Sequence, residues 1–422
     1  MSKLAIEGGT PVRQEPLRGG FHGSAEIDAH EIEAVESVLR KKRLFRFLSP
    51  GAEESESAKI EAWYQQRLGK AHTLAVANGT AALICSMFGL DLGPGDEVII
   101  PAYTFVATAA AVIAAGAVPV IAEVDASLNM DPRDLGKKIT PYTKAIVPVH
   151  MRGISARMDE IMAVANARGI PVIEDVAQSN GGSYKGKPLG TLGKVGCFSF
   201  QQYKIITSGE GGLLATGDLT VYDRARMQHD CAARFWEGMG GRPYDFVISG
   251  ENYRMSELAG ALIWAQRERL DPIVQRCRAV KGHIVEGVSD IRGLAMQDVP
   301  DPQGECGISF TVFLPSAELA KRFAAALNAE GIRCGTTYDN SIPDRHIYAN
   351  WPFMMSGLAE ARRAPWLSPF YHGAVRGYSR DDCPQSLDYL GRAVMLFIDQ
   401  FFTLGDAELI VEGIHKVAAA YL

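Results

Sequence analysis

The sequence predicts an α/β protein with a large domain, built on a mainly parallel seven-stranded sheet flanked by helices, and a smaller carboxyl-terminal α+β domain. Between residues 73 and 217, short β-branched runs alternate with longer helical stretches, which is typical of βα units in a parallel sheet. A new strand-and-helix pattern begins near residue 291. The length of 422 residues also exceeds that of one typical domain.

Seven apolar runs are the candidate strands of the large sheet. They comprise residues 73–77, 97–101, 118–124, 145–150, 171–174, 196–200 and 212–216. Apolar residues at helical spacing predict intervening helices over residues 80–90, 104–115 and 158–168. Because ligands bind beyond the carboxyl ends of strands in open parallel sheets, polar residues directly after these runs are candidates for function.

The carboxyl-terminal region has its own pattern. Glycine and proline cluster over residues 300–307, immediately before a predicted strand at 308–314. Helices are predicted over 316–330 and 405–421. We therefore expect residues 1–290 to form an amino-terminal arm and the large domain, and residues 291–422 to form the small domain.

Composition excludes several classes of partner. The chain is 47% hydrophobic and 22% charged, with a net charge of −6, so no basic field favours nucleic acid or an anionic membrane. The seven cysteines are scattered without a CxxC pair, which argues against a zinc site and against a disulfide framework. The first residues lack the plan of a signal peptide, and no apolar run reaches membrane-spanning length. We expect a cytoplasmic protein.

Asp175 is the first candidate for chemistry. The segment IPVIEDVAQSNGG (residues 170–182) places two acids at the end of an apolar strand, where a buried carboxylate needs a partner. In a pyridoxal 5′-phosphate enzyme that partner is the protonated pyridine nitrogen, and the aspartate makes the ring a better electron sink. The alternative is that Asp175 only caps the following helix.

Lys204 is the second candidate. The segment GCFSFQQYKIITSGEGGLLAT (residues 196–216) runs from an apolar strand through a polar turn to this lysine and then into a glycine-rich stretch. Ser199 and Gly209 flank it, in a setting that suits a lysine forming a Schiff base. A lysine near a loop is otherwise usually solvated, and that interpretation stays open at this point.

The segment ANGTAAL (residues 77–83) is a strand end followed at once by a helix start. Unpaired N–H groups and the helix dipole favour an anion at such a place, and Gly79 and Thr80 fit a phosphate. The alternative is a helix start with no ligand.

Together these segments resemble the DegT/DnrJ/StrS family of sugar aminotransferases, which are fold type I pyridoxal-phosphate enzymes. The resemblance covers most of the chain, in several blocks that occur in the family's order. The blocks are GDEVIIPAYTFVATAAAV (95–112), TKAIVPVHMRG (143–153), IEDVAQSNGGSYKGKPLGTLGKVGCFSF (173–200), SGEGG (208–212) and ENYRMSELAGAL (251–262).

The resemblance implies a role for each matching residue around the cofactor's ring. Lys204 would form the Schiff base and shuttle the proton, and Asp175 would bind the pyridine nitrogen. Gln178 would support the ring oxygen, and Phe105 would stack on the ring. An ordinary core position is the alternative for Phe105.

The resemblance also implies a phosphate site and a partner. Gly79, Thr80 and Ser199 would bind the phosphate. Asn252, in the ENYRM block, resembles an asparagine that reaches this phosphate from the neighbouring subunit. That assignment implies a homodimer with shared active sites.

The implied reaction is transfer of an amino group from L-glutamate or L-glutamine to the ketone of a sugar, nucleotide-linked or free, or of a cyclitol, with pyridoxamine 5′-phosphate formed in turnover. Such a reaction belongs to amino-sugar or secondary-metabolite biosynthesis, including that of antibiotics. The pair Gln201-Gln202 resembles cyclitol enzymes, whereas residues 42–51 and 151–161 resemble keto-sugar enzymes. Arg46 and His346 are candidate substrate contacts, although such side chains are mostly exposed and solvated.

Three other functions compete with this one. A sugar dehydratase of the same family would use the same fold and cofactor, but many such enzymes replace the lysine with histidine, and Lys204 is retained. A non-catalytic, pyridoxal-phosphate-binding regulator is possible on fold alone. A nicotinamide-dependent dehydrogenase is disfavoured, because no GxGxxG follows the first strand.

Overall fold

The structure is a computed structural model that describes residues 3–18, 22–47, 55–231, 248–336, 343–355 and 364–422. Its α-helices are α1 (His22–Ala25), α2 (Ala29–Lys41), α3 (Glu56–Leu68), α4 (Gly79–Gly89), α5 (Ala107–Ala114), α6 (Pro132–Lys138), α7 (Met158–Asn166), α8 (Leu219–His229), α9 (Glu257–Gln266), α10 (Leu270–Val288), α11 (Ala317–Ala329), α12 (Pro352–Met355), α13 (Pro384–Arg392) and α14 (Leu404–Tyr421). Its strands are β1 (His72–Val76), β2 (Glu97–Pro101), β3 (Val118–Ala122), β4 (Thr143–Ile146), β5 (Ile173–Asp175), β6 (Ser183–Tyr184), β7 (Lys187–Pro188), β8 (Val195–Ser199), β9 (Gly212–Thr216), β10 (Ala295–Met296), β11 (Ser309–Phe313), β12 (Gly335–Thr336) and β13 (Ala393–Phe397).

Seven strands between residues 72 and 216 combine into one large sheet, whereas β6 and β7 form a separate two-stranded sheet. In the described residues, β1, β9, β8 and β5 form a four-stranded sheet in that order, and β3, β2 and β4 form a three-stranded one. Parallel bridges from Ile146 to Val172 and from Val149 to Asp175 join β4 to β5. The pairs β2–β3, β2–β4 and β5–β8 are parallel, whereas β9 runs antiparallel to β1 and to β8. The sheet is therefore mainly parallel, as predicted.

The strand predicted over residues 145–150 differs from β4, which ends at Ile146. Pro148 has no backbone N–H, so it cannot donate to a neighbouring strand. Its carbonyl still accepts a hydrogen bond from the N–H of Asp175, and the N–H of His150 donates to the carbonyl of Asp175, each at 3.0 Å. The chain thus continues beside β5 and carries residues 147–150 to the edge of the sheet where Asp175 lies.

Both faces of the large sheet are buried. Ile99 of β2 belongs to a hydrophobic cluster with Met158 of α7, whereas Val98 and Ile100 belong to a second cluster with Leu83 of α4. Successive residues of a strand point to opposite faces, so helices cover the sheet on both sides. This is why the strands occur in the sequence as unbroken apolar runs.

The carboxyl-terminal elements form a second, smaller sheet. Its order is β10-β11-β13-β12, and the pairings are antiparallel. Ser316 starts α11 by accepting a hydrogen bond from the N–H of Leu319 at 3.2 Å, and Thr403 starts α14 through a capping box with Asp406. The helices predicted over 316–330 and 405–421 match α11 and α14 to within one residue at each end.

The amino-terminal arm packs against this carboxyl-terminal region. The buried carboxylate of Glu330, at the end of α11, accepts hydrogen bonds from the N–H of Ala5 at 2.8 Å and of Val12 at 3.0 Å. Lys416 of α14 pairs with the same carboxylate at 2.8 Å. Contacts of the arm therefore reach across the boundary that we predicted near residue 291.

Neither a membrane-spanning helix nor a disulfide bond is found in the described part of the chain. Among the residues that the structure describes, no helix is both long enough and apolar enough to cross a bilayer. The seven cysteines carry free thiols, and the side chain of Cys231 is exposed to solvent.

Candidate active site

A cavity of about 990 Å³ lies where the carboxyl ends of β5 and β8 meet the start of α4. Asp175 is the last residue of β5, Ser199 the last of β8 and Gly79 the first of α4, and all three line the cavity. Ile308, before β11, and Phe397, at the end of β13, line it from the smaller sheet. The site therefore lies beyond the strand ends, between the two sheets.

Lys204 lies in the connection between the antiparallel strands β8 and β9. The pairing of these strands extends into the connection, because the N–H of Phe200 donates to the carbonyl of Gly211 at 2.8 Å and the N–H of Gln202 donates to that of Gly209 at 2.9 Å. Gly209 has a φ of 79°, a conformation that glycine adopts at little cost. This hydrogen-bonded loop holds the lysine in the lining of the cavity.

The surroundings of Lys204 change its acidity. Burial removes the hydration of the ammonium and lowers its pKa to about 8. The negative charge of Asp175 acts to raise this pKa, and the positive charge of Arg152 acts to lower it. At neutral pH the neutral fraction of this amine is far larger than that of an ordinary lysine. The amine can therefore act as a nucleophile and as a base.

Asp175 is a buried carboxylate with two hydrogen-bond donors. Its Oδ2 accepts from the hydroxyl of Thr108 and its Oδ1 from the N–H of Ala177, each at 3.0 Å. Burial raises the pKa of Asp175, although these bonds and the charge of Lys204 act in the opposite direction. The bond from Ala177 is the local contact that a capping role requires. Capping does not require the carboxylate to line a cavity, however, and Asp175 does so.

Gly79, Thr80 and Ser199 lie together at one end of the cavity. Asn78 caps α4 by accepting from the N–H of Ala81 at 2.8 Å. The N–H groups of Gly79 and Thr80 precede the first intrahelical hydrogen bonds and are available to an anion. A Cβ atom at position 79 would lie 2.7 Å from the Cβ of Ser199, so this close approach requires glycine. The three residues fit a phosphate.

Phe105 and Gln178 also line the cavity. Phe105 is 40% exposed, so it is not a core residue. Gln178 accepts a hydrogen bond through Oε1 from the N–H of Arg152 at 3.2 Å. Its amide nitrogen is then left to donate, which suits an acceptor such as a ring oxygen.

Asn252 and Arg46 are not among the described residues that line this cavity. Asn252 is exposed, and its Oδ1 accepts from the N–H of Arg254 at 3.3 Å. Arg46 forms a bidentate pair with Glu61, at 2.8 Å to each oxygen, and donates to the carbonyl of Ala75 at 3.1 Å. Arg46 therefore does not reach the cavity of its own chain, and the structure does not support its predicted contact with substrate there.

His346 does line the cavity. Its Nδ1 is 2.6 Å from a carboxylate oxygen of Asp344. Burial, aided by the charge of Arg152, lowers the pKa of His346. Its ring lies beside that of Phe105, with the centroids 5.3 Å apart. The predicted contact of His346 with substrate is compatible with this position and stays a prediction.

Arg152 and Thr108 also line the cavity, although neither was predicted from the sequence. Arg152 lines the cavity and donates from Nε to the hydroxyl of Tyr103 at 3.2 Å. A signal for it existed, because it follows a predicted strand, as the other candidates do. Thr108 has no such signal, since it lies within α5, and only the fold brings it to Asp175.

Comparison with known proteins identifies the family. The sequence profile of the DegT/DnrJ/EryC1/StrS aminotransferase family matches residues 25–366. A protein of Streptomyces kanamyceticus named "Putative L-glutamine:3-amino-2,3-dideoxy-scyllo-inosose aminotransferase" is 34% identical over 71% of this chain and 70% of its own length. A UDP-N-acetyl-3-dehydro-alpha-D-glucosamine 3-aminotransferase of Acidithiobacillus ferrooxidans is 36% identical over 64% of this chain and 71% of its own.

Solved structures share the fold. The crystal structure of 3-amino-5-hydroxybenzoic acid synthase superposes with a TM-score of 0.79 and 25% identity, over 96% of this chain and 100% of that one. The aminotransferase from Psychrobacter cryohalolentis superposes with a TM-score of 0.76 and 26% identity, over 94% and 98%. The chain therefore belongs to the DegT/DnrJ/EryC1/StrS aminotransferase family, has the fold type I architecture and is an aminotransferase that uses pyridoxal 5′-phosphate.

Proposed function

We propose that the chain moves the amino group of L-glutamine or L-glutamate to the ketone of a sugar, nucleotide-linked or free, or of a cyclitol, in amino-sugar or secondary-metabolite biosynthesis. The observation that carries the proposal is one cavity that combines Lys204, the buried carboxylate of Asp175 and the open start of α4. The relatives named for an inosose substrate and for a UDP-linked 3-dehydro sugar support this class of acceptor.

The residues of the cavity fit the phosphate, the ring oxygen and the ring face of the cofactor. In this proposal the N–H groups of Gly79 and Thr80 bind the phosphate together with the hydroxyl of Ser199. Gln178 donates its amide to the ring oxygen, and Phe105 offers its exposed ring face for stacking. When bound, pyridoxal phosphate supplies a carbonyl that exchanges its oxygen for the amino group and a ring that withdraws electrons.

The electron withdrawal depends on a protonated pyridine nitrogen, and the carboxylate of Asp175 would stabilise that positive charge. Its carboxylate lies in a buried setting that favours the neutral form, and a cation in contact with it restores the charged form. The pyridine N–H is such a cation. The hydrogen bonds from Thr108 and Ala177 fix the orientation of the carboxylate, so its charge stays directed into the cavity.

Lys204 moves the proton. Its amine has a pKa of about 8, so Nζ is readily neutral and can accept a proton from the donor carbon that bears the nitrogen. The same Nζ returns a proton in the second half of the exchange, when the ketone carbon receives nitrogen. The hydrogen-bonded loop between β8 and β9 keeps Nζ in the cavity through both halves.

A homodimer completes the site in this proposal. Asn252 is exposed and does not line the cavity of its own chain, although Tyr253, the next residue, does. An exposed asparagine beside the cavity is well placed to reach the phosphate site of a second copy. Free thiols support a cytoplasmic location, which stays part of the proposal.

Mixing two inactive variants tests the shared site. Lys204→Ala and Asn252→Ala would each disable their own homodimers, but a mixed dimer holds one site with both residues intact. Dissociation and reassembly of the mixture should therefore restore up to about a quarter of the wild-type activity per total site, by the random pairing of two chain types. No recovery in a verified mixed dimer would place Asn252 outside the partner's site.

The second half-reaction tests the acceptor class. Protein converted to its pyridoxamine form and freed of donor is mixed with scyllo-inosose, with a UDP-linked 3-keto sugar or with pyruvate, and the visible cofactor band is followed. Recovery with a cyclitol or sugar ketone, and an amino product of matching mass, is expected. Recovery with pyruvate alone would contradict the proposal, and a dehydrated product would favour the dehydratase.

A further inference from the structure

Arg152 is a half-buried guanidinium inside the cavity. Its Nε donates to the hydroxyl of Tyr103 at 3.2 Å, and its central carbon lies 4.9 Å from the ring centroid of Phe397. The proposed function gives this side chain no task. A cation in such a place usually has an anionic partner, because partial burial removes some of its hydration.

The contact between Arg152 and His346 is not a hydrogen bond. Nη2 of Arg152 lies 3.4 Å from Nδ1 of His346, but that Nδ1 lies 2.6 Å from a carboxylate oxygen of Asp344. At this distance Nδ1 carries the hydrogen and donates it to the carboxylate, so it cannot also accept from the guanidinium. The N–H groups on both Nη atoms are then without an acceptor among the described residues.

No carboxylate within the described part of the chain lies at ion-pair distance from Arg152. The carboxylate of Asp344 interacts with its charge over a longer distance, but it is paired with His346. The residue is nevertheless held in place at its backbone. Its backbone has a φ of 53°, an uncommon conformation for a residue other than glycine. Gln178 accepts from its N–H at 3.2 Å, and the hydroxyl of Ser309 donates to its carbonyl at 2.8 Å. Tethered backbones in uncommon conformations are concentrated at functional sites.

We propose that Arg152 binds the α-carboxylate of the amino-acid donor through its two Nη atoms. This inference rests on the proposed function, since it assumes an amino-acid donor. In such a donor the carboxylate is one bond from the carbon whose proton Lys204 takes, so a cation that lines the same cavity as Lys204 is placed to hold it. Two parallel N–H donors match the two oxygens of a carboxylate.

Other arginines of the cavity are less suited to this role. Arg18, Arg333 and Arg345 also line it, but each is exposed. Water competes at an exposed guanidinium, whereas the preorganised and half-buried Arg152 loses little freedom on binding. Arg345 therefore serves as the matched control, because it is an arginine of the same cavity that the proposal leaves out.

The test measures the first half-reaction, which needs no knowledge of the ketone. Holoenzyme is mixed rapidly with L-glutamine, or with 4-aminobutanamide, which is L-glutamine without its α-carboxylate, and the loss of the visible cofactor band is timed. We expect Arg152→Gln to lower the second-order rate constant for L-glutamine by about 100-fold, the loss typical of a charge-assisted pair. The rate constant for 4-aminobutanamide should change less than about threefold, because this amine has no carboxylate for Arg152 to bind.

Two further variants keep the test decisive. Arg152→Lys retains the charge without the paired donors and should fall between wild type and Arg152→Gln for L-glutamine. Arg345→Gln should retain the wild-type ratio of the two rate constants. A wild-type ratio in both Arg152 variants, or equal losses for both amines, would overturn this inference alone. A wild-type protein that L-glutamine and L-glutamate both leave unchanged would overturn the proposed function and this inference with it.

Discussion

The hydroxyl of Thr108 donates a hydrogen bond to the buried carboxylate of Asp175 at 3.0 Å. Thr108 itself is in contact with Thr104, with the two hydroxyl oxygens 2.7 Å apart. This chain of hydroxyl groups connects α5 to the end of β5 and fixes the carboxylate where the cavity begins. The carboxylate and the hydroxyl group that orients it therefore belong to different residues, which can be changed separately.

We predict that Asp175→Asn retains the fold and binds cofactor but slows the donor half-reaction by at least about 100-fold, the scale of losing one key electrostatic contact in an active site. Thr108→Val should slow the same half-reaction less, by about 10-fold, because a hydrogen bond to a charged group contributes about 1.5 kcal/mol at the lower end of its range. Rapid mixing with L-glutamine measures both rates. Similar losses in the two variants would show that orientation, rather than charge, is the contribution of Asp175.

Gly79→Ala should weaken the binding of cofactor without unfolding the protein. The added Cβ would lie 2.7 Å from the Cβ of Ser199, and relieving such an overlap typically costs about 1–3 kcal/mol. The dissociation constant of pyridoxal phosphate should rise about 10- to 100-fold. Fluorescence titration of the apoprotein measures it.

Gly136→Ala is the matched control for that change. Gly136 also lies in a helix, α6, but nothing lies within 4 Å of its Cβ position. The control should bind cofactor as wild type does, with equal or slightly higher stability, since alanine favours a helix over glycine by up to about 1 kcal/mol. Unchanged affinity in Gly79→Ala would place the phosphate elsewhere.

Arg46→Met should lower stability rather than catalysis. The side chains of Arg46 and Glu61 are only 7% and 12% exposed, and removing one partner of a buried ion pair costs about 3–5 kcal/mol. Urea unfolding should show this loss, while the donor half-reaction of the folded variant stays at the wild-type rate. The exposed Arg40, paired with Glu36, is the control, and Arg40→Met should cost less than about 1 kcal/mol. A stable but inactive Arg46→Met would instead support the substrate contact that the sequence predicts.

The rate at which the apoprotein takes up cofactor should depend on the protonation of Lys204. Only the neutral amine attacks the carbonyl, and the pKa of this amine is about 8, so the rate should rise with pH and reach half of its maximum near pH 8. The charge of Asp175 raises this pKa, so Asp175→Asn should move the midpoint to lower pH. Stopped-flow absorbance measures the rate, with a blocked free lysine in the same buffers as the control. A midpoint near 10.5, the ordinary value for lysine, would show that burial does not tune the amine.

Much of the fold was predictable from the sequence because it depends on local pattern. The predicted strands at 97–101 and 212–216 coincide with β2 and β9, since strands that are buried on both faces occur as continuous apolar runs. The antiparallel direction of β9 was not predictable, because a hairpin connection that carries Lys204 looks like any other glycine-rich loop. The packing of the amino-terminal arm on Glu330 depends on contacts over more than 300 residues and leaves no local signal.

The site was predictable where a residue follows a strand. Asp175 and Ser199 are the last residues of β5 and β8, Lys204 follows β8, and the structure brings them into one cavity with Gly79. The family, the enzyme class and the cofactor that these motifs implied are confirmed by the family match. Arg46 lies in the segment 42–51 that resembles keto-sugar enzymes, but its burial beside Glu61 is visible only in three dimensions. The roles of the individual residues stay predictions until variants are measured.

The most direct test of the account is the absorbance of the purified protein with pyridoxal phosphate, before and after L-glutamine or L-glutamate, for wild type, Lys204→Ala and the control Lys185→Ala, whose side chain is 61% exposed. Wild type and Lys185→Ala should show the visible band of a lysine-bound cofactor and lose it to the pyridoxamine form on adding donor. Lys204→Ala should show neither the band nor the conversion. A wild-type protein without that band at saturating cofactor, or a Lys204→Ala protein that behaves like wild type, would contradict the account.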